Sequence, residues 1–226
     1  MKKSKLYWKN IKKNLSRQFC PNVSLHRFIG EANFRYNNKN ILEIGFGHGA
    51  DLLECKKRGG KVYGLDINTN FVKSLKKKIF NVKNIDCSKE KIPFKKKFDL
   101  IYHRDTICYF SDKEILFLQK NIFEKLKING IHVFQYIEDD YQKLDKAKLK
   151  LNNFNINISK NFRKKKFAEK LNPIRFLKFK NLLKLNQKIG FFLVGKKILI
   201  ESYGLKENKL RLNRYLMFKK NEFSNV

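Results

Sequence analysis

Short apolar runs alternate along the first part of the chain with segments in which apolar residues recur every three or four positions. A strand is predicted to end near Asp86, and the other runs predict strands at 40–44, 62–65, 98–102 and 131–136. The intervening segments predict helices at 49–58, 69–80 and 112–126. Because strands that alternate with helices in this way form parallel sheets, the pattern predicts an α/β domain.

Both ends of the chain add further elements. Apolar residues at helical spacing predict a helix within residues 1–30, which Pro21 interrupts and which a second short helix, capped by Ser24, follows. Near the other end, the pair Asn172-Pro173 predicts the start of a helix that runs to about residue 189. Two later apolar runs predict a hairpin with strands at 197–202 and 211–218.

The first predicted strand leads directly into a glycine-rich turn. Gly45, Gly47 and Gly49 stand at alternate positions, and the second strand is followed by Asp66, 21 residues after Gly45. Glycine suits a turn in which the backbone approaches a ligand closely, because it has no β-carbon to obstruct that approach. A carboxylate at the tip of the next strand can bind both hydroxyls of a ribose. The spacing therefore predicts a site for a nucleoside-containing cofactor.

The glycines alone leave two classes of cofactor open. Gly45, Gly47 and Ala50 also satisfy the pattern of dinucleotide-binding enzymes. Glu43 favours the other class, because a carboxylate would repel a pyrophosphate but would attract the cationic methionine end of S-adenosylmethionine. The Tyr-x-x-x-Lys pairs that short-chain dehydrogenases need occur in this lysine-rich chain about as often as chance predicts.

The motifs resemble, in order and spacing, those of class I S-adenosylmethionine-dependent methyltransferases. Glu43 resembles the acidic residue that opens motif I of that family, and three later segments resemble its subsequent motifs, at 84–88, 98–102 and 126–134. The resemblance covers roughly residues 38–137 and points to the small-molecule branch, similar to methyltransferase types 11 and 25. It implies an α/β, Rossmann-like, doubly wound sheet of about seven strands, mostly parallel with an antiparallel last strand.

The resemblance also implies S-adenosyl-L-methionine as cofactor and assigns residues to it. Asp66 is expected to bind the ribose hydroxyls and Asp86 the adenine amino group, while Gly45 and Gly47 admit the methionine end. The full set of expected cofactor-binding residues is Glu43, Gly45, Gly47, Gly49, Asp66, Ile67, Asp86, Cys87 and His103.

The resemblance further suggests how the chain is organised. Residues 1–37 are expected to form an N-terminal helical segment over the cofactor cleft, and residues 38–226 the methyltransferase domain. A basic insertion is expected at about 142–172, where such enzymes carry substrate-specific segments.

Candidate catalytic residues follow the fourth predicted strand. His103 is a candidate general base, because the ordinary pKa of histidine lies near neutrality, and Asp105 could orient it or contact the acceptor. The acidic run 138–140 could hold a divalent metal or a basic acceptor, but strand-to-helix capping explains it more simply, and no metal is expected. The proline-containing motifs of enzymes that methylate nucleobase amino groups or cytosine C5 are missing.

The net charge of +32 raises the question of an anionic partner. Only nine of the basic residues are Arg, the side chain that specific phosphate and base readers favour, and the abundance of Lys, Asn, Ile and Phe is typical of an AT-rich genome. A small-molecule acceptor, which could itself be anionic, is therefore favoured. An RNA or ribosomal methyltransferase is the alternative, and a non-catalytic cofactor-binding module is the third hypothesis.

The remaining composition indicates a cytoplasmic protein. The sequence lacks a secretory signal pattern and an apolar run long enough to span a membrane. Its four cysteines are scattered without a C-x-x-C pair, which is typical of a reduced protein with no zinc site.

Overall fold

The computed structural model describes residues 6, 8–9, 20–137, 150–151, 154–155, 177–203 and 209–220. Five strands supply the first part of the main sheet, and all of them run parallel. They are β1 (Asn40–Ile44), β2 (Lys61–Asp66), β3 (Val82–Asn84), β4 (Phe98–Arg104) and β5 (Leu126–Ile137). The predicted strands are all present, and β2, β4 and β5 extend beyond their predicted bounds.

Helices connect β1 to β2, β2 to β3 and β4 to β5. The described helices are α1 (Val23–Gly30), α2 (Ala50–Lys57), α3 (Thr69–Lys76), α4 (Asp112–Lys125) and α5 (Phe179–Ile189), with a 3-10 turn at Thr106–Tyr109. Ser111 and Glu114 cap α4 reciprocally, which fixes its start. The predicted cap of α1 at Ser24 is wrong, because the side chain of Asn22 accepts the N–H of Leu25 and the cap therefore lies two residues earlier.

Two long antiparallel strands complete the main sheet. They are β8 (Phe191–Tyr203) and β9 (Lys209–Lys220), and a separate two-stranded hairpin consists of β6 (Lys150–Leu151) and β7 (Phe154–Asn155). The strand order is β3-β2-β1-β4-β5-β9-β8, and β9 pairs antiparallel with both of its neighbours. The predicted Rossmann-like sheet of seven strands with an antiparallel last strand is confirmed.

The two faces of this sheet differ in character. Successive side chains of a strand point to opposite faces, so each strand contributes to both. One face, called the aromatic face below, packs against α4 and α5 and carries Tyr63, His103, His132, Phe134 and Phe218. The other, called the polar face, packs against α1, α2 and α3, and it carries Glu43, Asp66, Tyr102 and Arg104 toward the carboxyl ends of its strands.

Three predictions fall wholly or mostly outside the described residues. The acidic run 138–140 lies outside them, as does most of the basic insertion expected at 142–172, of which β6 and β7 are described. The start predicted for the last helix at residue 172 also lies outside them. Within the described ranges, no helix is both long enough and apolar enough to cross a membrane.

Candidate cofactor and acceptor site

The turn after β1 adopts a conformation that requires glycine. Gly45, Gly47 and Gly49 all have positive φ angles, of 71°, 55° and 75°. A β-carbon on Gly45 would lie 2.5 Å from the hydroxyl oxygen of Thr106, which follows β4. The glycine turn therefore packs closely against Thr106, at the start of the 3-10 turn. Without β-carbons, the backbone of the glycine turn can approach a ligand more closely than larger residues would allow.

Asp66 ends β2 beside this turn and is held by the backbone around it. Its Oδ2 accepts the N–H of Gly47 and its Oδ1 accepts the N–H of Asn68, both at 2.8 Å. Burial raises the pKa of Asp66 to about 6, although these backbone donors and that of Ile67 lower it. Because each carboxylate oxygen has two lone pairs, each can still accept one hydroxyl, and the residue fits a ribose diol.

The turn after β3 holds the residues expected at the adenine. Asp86 is half-buried, and its Oδ1 accepts the hydroxyl of Ser88 at 2.5 Å and the N–H of Ser88 at 3.1 Å. Cys87 beside it is buried, and that burial raises the pKa of its thiol. The structure thus brings Asp66, Asp86 and Cys87 to adjacent strand ends, at the edge where the sequence placed them.

Glu43 lies deeper than its predicted role suggests. Its side chain is 2% exposed, and Oε2 accepts the hydroxyl of Tyr102 at 3.0 Å. Burial raises its pKa well above the ordinary value, and Asp51 adds to the rise while Arg104 opposes it. The carboxyl group therefore lies behind the glycine turn, where a cationic ligand would favour its ionised form.

An ion pair between the partly exposed Arg104 and the buried Asp51 adjoins Glu43 on the polar face, and neither residue is among the predicted site residues. Arg104 lies at the end of β4, and one terminal nitrogen is 2.9 Å from Oδ2 of Asp51 in α2. His26 of α1 lies 3.2 Å from the other oxygen of Asp51. Strand alternation alone places Arg104 on the face of Glu43, whereas no sequence pattern connects His26 with Asp51.

The structure does not bring His103 to the cleft. Its ring is completely buried on the aromatic face and stacks on Phe134 with centroids 5.1 Å apart. Burial, together with the neighbouring His132, lowers its pKa well below the ordinary value. This placement argues against the predicted role as general base, since a base must reach the proton that it removes. For the same reason it argues against the predicted contact with the cofactor.

Asp105 lies at the carboxyl end of β4, beside β5. Its φ angle is 55°, a left-handed conformation uncommon outside glycine, and its side chain is half-exposed. Its backbone N–H donates to the carbonyl of Gln135 at 3.0 Å, and the side-chain amide of Gln135 donates to Asp105 Oδ1 at 3.2 Å. Sparsely populated backbone conformations that are held in this way cluster at functional sites.

An aromatic residue of the N-terminal segment crosses this edge of the sheet. The carbonyl of Trp8 accepts the side-chain amide of Asn68 at 2.7 Å, and its ring packs edge-on against Tyr109 with centroids 5.5 Å apart. Asn68 follows β2 and Tyr109 follows β4, and these strands flank β1. Trp8 therefore bridges the two sides of the glycine turn.

Comparisons with known proteins agree with this geometry. The sequence model of a family described as "Methyltransferase domain" matches residues 41–130. Phosphoethanolamine N-methyltransferase 1 from Zea mays is 32% identical over 110 residues, which make up 46% of this chain and 21% of the maize protein. The chain thus spans about one fifth of the length of that relative.

Solved structures share the fold at low identity. A SAM-dependent methyltransferase from Methanosarcina mazei matches with a TM-score of 0.65 and 15% identity, covering 89% of this chain and 99% of that one. Magnesium protoporphyrin IX methyltransferase from Synechocystis, with bound SAH, matches with a TM-score of 0.61 and 12% identity over 97% and 93% of the two chains. Residues 41–130 therefore match a methyltransferase-domain family, and the chain has the fold of the solved S-adenosylmethionine-dependent methyltransferases, including the antiparallel β9.

Proposed function

We propose that this chain transfers a methyl group from S-adenosylmethionine to a small-molecule acceptor. The observation that carries the proposal is the bridge that Trp8 makes between Asn68 and Tyr109, across the end of β1. A cleft covered in this way suits an acceptor that can be enclosed, whereas a polymer needs an open groove. Enclosure also excludes water from the reacting groups, which strengthens electrostatic interactions within the cleft.

The residues at the strand ends fit the cofactor. Asp66 would hold the ribose hydroxyls, Asp86 the adenine amino group, and the turn containing Gly45 and Gly47 would accommodate the methionine end. When bound, the cofactor supplies a methyl group on a cationic sulfur. The protein's main contribution is then to align the acceptor with that methyl group and to remove the acceptor's proton where it has one.

We propose that Asp105 contacts the methyl acceptor in the cleft. Gln135 holds its backbone and one carboxylate oxygen at the carboxyl end of β4, and the side chain is half-exposed there. A carboxylate suits an amine acceptor, because it attracts an ammonium group and can accept its proton. The maize relative is named for an amine acceptor that also carries a phosphate, and we extend that chemical class, an amine joined to an anionic group, to this chain.

The distribution of charge over the described residues does not favour RNA as the acceptor. Three of their lysine-rich clusters, 56–58, 76–78 and 95–97, are exposed. They lie at the ends of α2 and α3 and just before β4, which is the edge of the sheet opposite the glycine turn. A polyanion bound to those clusters would therefore lie away from the cleft.

Labelled S-adenosylmethionine tests the proposal directly. We expect the full chain to label phosphoethanolamine or another small amine in a metabolite fraction, and to leave an RNA fraction unlabelled. Label that enters only RNA would replace the proposal with its alternative. Tight binding of S-adenosylhomocysteine without turnover on any fraction would favour a cofactor-binding module.

Asp105→Asn tests the residue assigned to the acceptor. Asparagine also tolerates a left-handed backbone and can still accept the amide of Gln135, so the fold should persist. We expect turnover to fall by about 10²–10⁴-fold with unchanged affinity for S-adenosylhomocysteine. Asp99→Asn is the matched control, since Asp99 pairs with Lys127 at the opposite edge of the sheet. Equal turnover of the two variants would remove Asp105 from the mechanism.

A further inference from the structure

We propose that Arg104 binds the methionine carboxylate of the cofactor and that His26 and Asp51 position it from the interior of the protein. The inference rests on the proposed function and deepens it, because it concerns the same site. It assigns a binding residue and two positioning residues that the sequence motifs do not include.

The contacts of Arg104 leave it donors for a ligand. One terminal nitrogen lies 2.9 Å from Asp51, whose carboxylate is 1% exposed, whereas the side chain of Arg104 is 28% exposed. Its Nε is buried and has no hydrogen-bond partner within the described part of the chain. A guanidinium carries five N–H donors in a rigid fork that matches a carboxylate, so a group anchored on one side can bind an anion with the other.

Arg104 also lies beside the turn that would hold the methionine end. Thr106 can donate its hydroxyl to the carbonyls of Arg104 and Ile44, each 3.1 Å away. The same hydroxyl oxygen lies 2.5 Å from where a β-carbon on Gly45 would be. The end of β4 is therefore tied to the end of β1 at the first glycine of the turn.

The charges on this part of the polar face complement a zwitterion. The methionine end of the cofactor carries an ammonium and a carboxylate. Glu43 and Arg104 lie on adjacent strands, within electrostatic influence of each other, and an ammonium bound beside Glu43 would favour its ionised form. With the carboxylate bound by Arg104, the pair would favour the amino-acid end of the cofactor over a neutral ligand.

A buried series of polar groups fixes the orientation of Arg104. Oδ1 of Asp51 accepts the N–H of Asn22 at 2.6 Å and lies 3.2 Å from Nε2 of His26, whose Nδ1 is 3.0 Å from the hydroxyl of Tyr36. The side chains of Tyr36, His26 and Asp51 are each less than 8% exposed. Burial by itself raises the pKa of Asp51, but His26, Arg104 and Asn22 together lower it, so the carboxylate is ionised and anchors Arg104.

The test compares two ligands that differ by one group. S-adenosylhomocysteine and its decarboxylated form, which keeps the amine, are titrated calorimetrically into the full chain. We expect the unaltered chain to prefer the carboxylate-bearing ligand by about ten- to hundredfold. Arg104→Ala should abolish that preference while changing the affinity for the decarboxylated ligand by less than about twofold, because that ligand has no carboxylate for Arg104 to bind.

The positioning residues are tested by the same ratio of affinities, that for S-adenosylhomocysteine over that for its decarboxylated form. Asp51→Asn and His26→Gln should each reduce the preference without abolishing it, and Arg104→Lys, which keeps the charge but not the fork, should retain part of it. Lys127→Ala is the control, because Lys127 pairs with Asp99 at the opposite edge of the sheet. It should leave both affinities unchanged.

Each alternative result has one meaning. A preference that survives Arg104→Ala would place the carboxylate elsewhere, and an equal loss of affinity for both ligands would reduce Arg104 to a structural role. If the unaltered chain binds both ligands equally, this proposal fails while the proposed function stands. If it binds neither ligand, both proposals fail.

Discussion

His103 and Arg104 are successive residues of β4, yet they lie in opposite environments. The His103 ring, on the aromatic face, has no exposed surface, stacks on Phe134, and has a pKa lowered by burial and by His132. Arg104, on the polar face, is partly exposed and pairs with Asp51. One step along a strand separates a residue that is neutral and enclosed from one that is charged and accessible.

The comparison shows that the face of the sheet, rather than the chemistry of a side chain, decides which strand-end residues can take part in the reaction. α4 and α5 cover the aromatic face with apolar side chains, which stabilise only neutral neighbours. The polar face meets α2, whose first turn places Asp51 beside Arg104. Charged residues on that face can therefore be ionised and still be ordered.

The largest expected effect comes from placing a charge on the aromatic face. His103→Asp would put a carboxylate among Phe134 and its neighbours with no counter-charge, and we expect it to lower the free energy of unfolding by about 3–5 kcal/mol. His103→Leu removes two ring nitrogens that have no partner in the described residues and should change stability by less than about 1.5 kcal/mol.

The His103→Leu variant also decides whether this residue takes part in catalysis. Urea unfolding gives its stability, and turnover with the identified acceptor gives its activity. We expect turnover to be unchanged. A loss of about 10²–10⁴-fold in a stable variant would restore His103 as the general base and break the distinction between the two faces.

Asp66 on the polar face should give the next largest effect. Asp66→Ala removes the carboxylate that would bind the ribose, and we expect S-adenosylhomocysteine affinity to fall about ten- to hundredfold. Because the pKa of Asp66 is raised to about 6, the affinity of the unaltered chain should be constant above that pH and should weaken as the pH falls below it. An affinity independent of pH between 5 and 7 would contradict this role for the ionised Asp66.

We expect acid to destabilise the protein because it favours protonation of the buried histidines of the aromatic face. The pKa of His132 is lowered to about 4 by burial and that of His103 is also lowered, so the folded state binds protons less readily than the unfolded chain. The free energy of unfolding does not depend on these two rings above about pH 6.5, where both are neutral in the folded and the unfolded chain. As the pH drops toward 4, it falls by up to about 1.4 kcal/mol per pH unit for each histidine.

The acids of the polar face oppose this trend. The pKa values of Glu43 and Asp66 are raised, so their contributions to stability are largest at low pH and decrease as the pH rises through those values. Urea unfolding of His103→Leu and of the unaltered chain, each at pH 5 and pH 7, isolates the contribution of His103 to the pH dependence of stability. We expect the variant to lose less stability on acidification than the unaltered chain. Equal losses would mean that His103 titrates normally.

Much of the fold follows from local patterns, and the exceptions have physical causes. The sequence predicted this strand only from residue 197, but β8 begins at Phe191, directly after Gly190 ends α5 with a φ angle of 106°, and it runs through Lys196 and Lys197. Lysine is tolerated there because β8 is the edge strand and its outward side chains reach water.

The site was predictable where it depends on backbone shape. The spacing of Gly45 and Asp66 alone predicted that both lie at the glycine turn, where the structure has them. Strand alternation also separates His103 from Arg104, but it does not reveal which face the helices enclose. That depends on the packing of α4 and α5, and the contact of His26 with Asp51 depends on how α1 meets α2. Tertiary packing, absent from local patterns, set those outcomes.

The smallest predicted effect compares one hydroxyl on each face. Tyr102→Phe removes the donor that lies 3.0 Å from Glu43 Oε2, and we expect it to cost about 1 kcal/mol of unfolding free energy. Tyr63→Phe is the matched control on the aromatic face, where the ring packs edge-on against Phe94 and Phe98, and it should cost less than about 0.5 kcal/mol. Both values come from urea unfolding at pH 7. Because Tyr102 supports the carboxyl group of Glu43, its variant alone should also weaken S-adenosylhomocysteine binding, by a few-fold. Equal costs in the two variants, with unchanged ligand affinity, would mean that Glu43 does not depend on this hydroxyl.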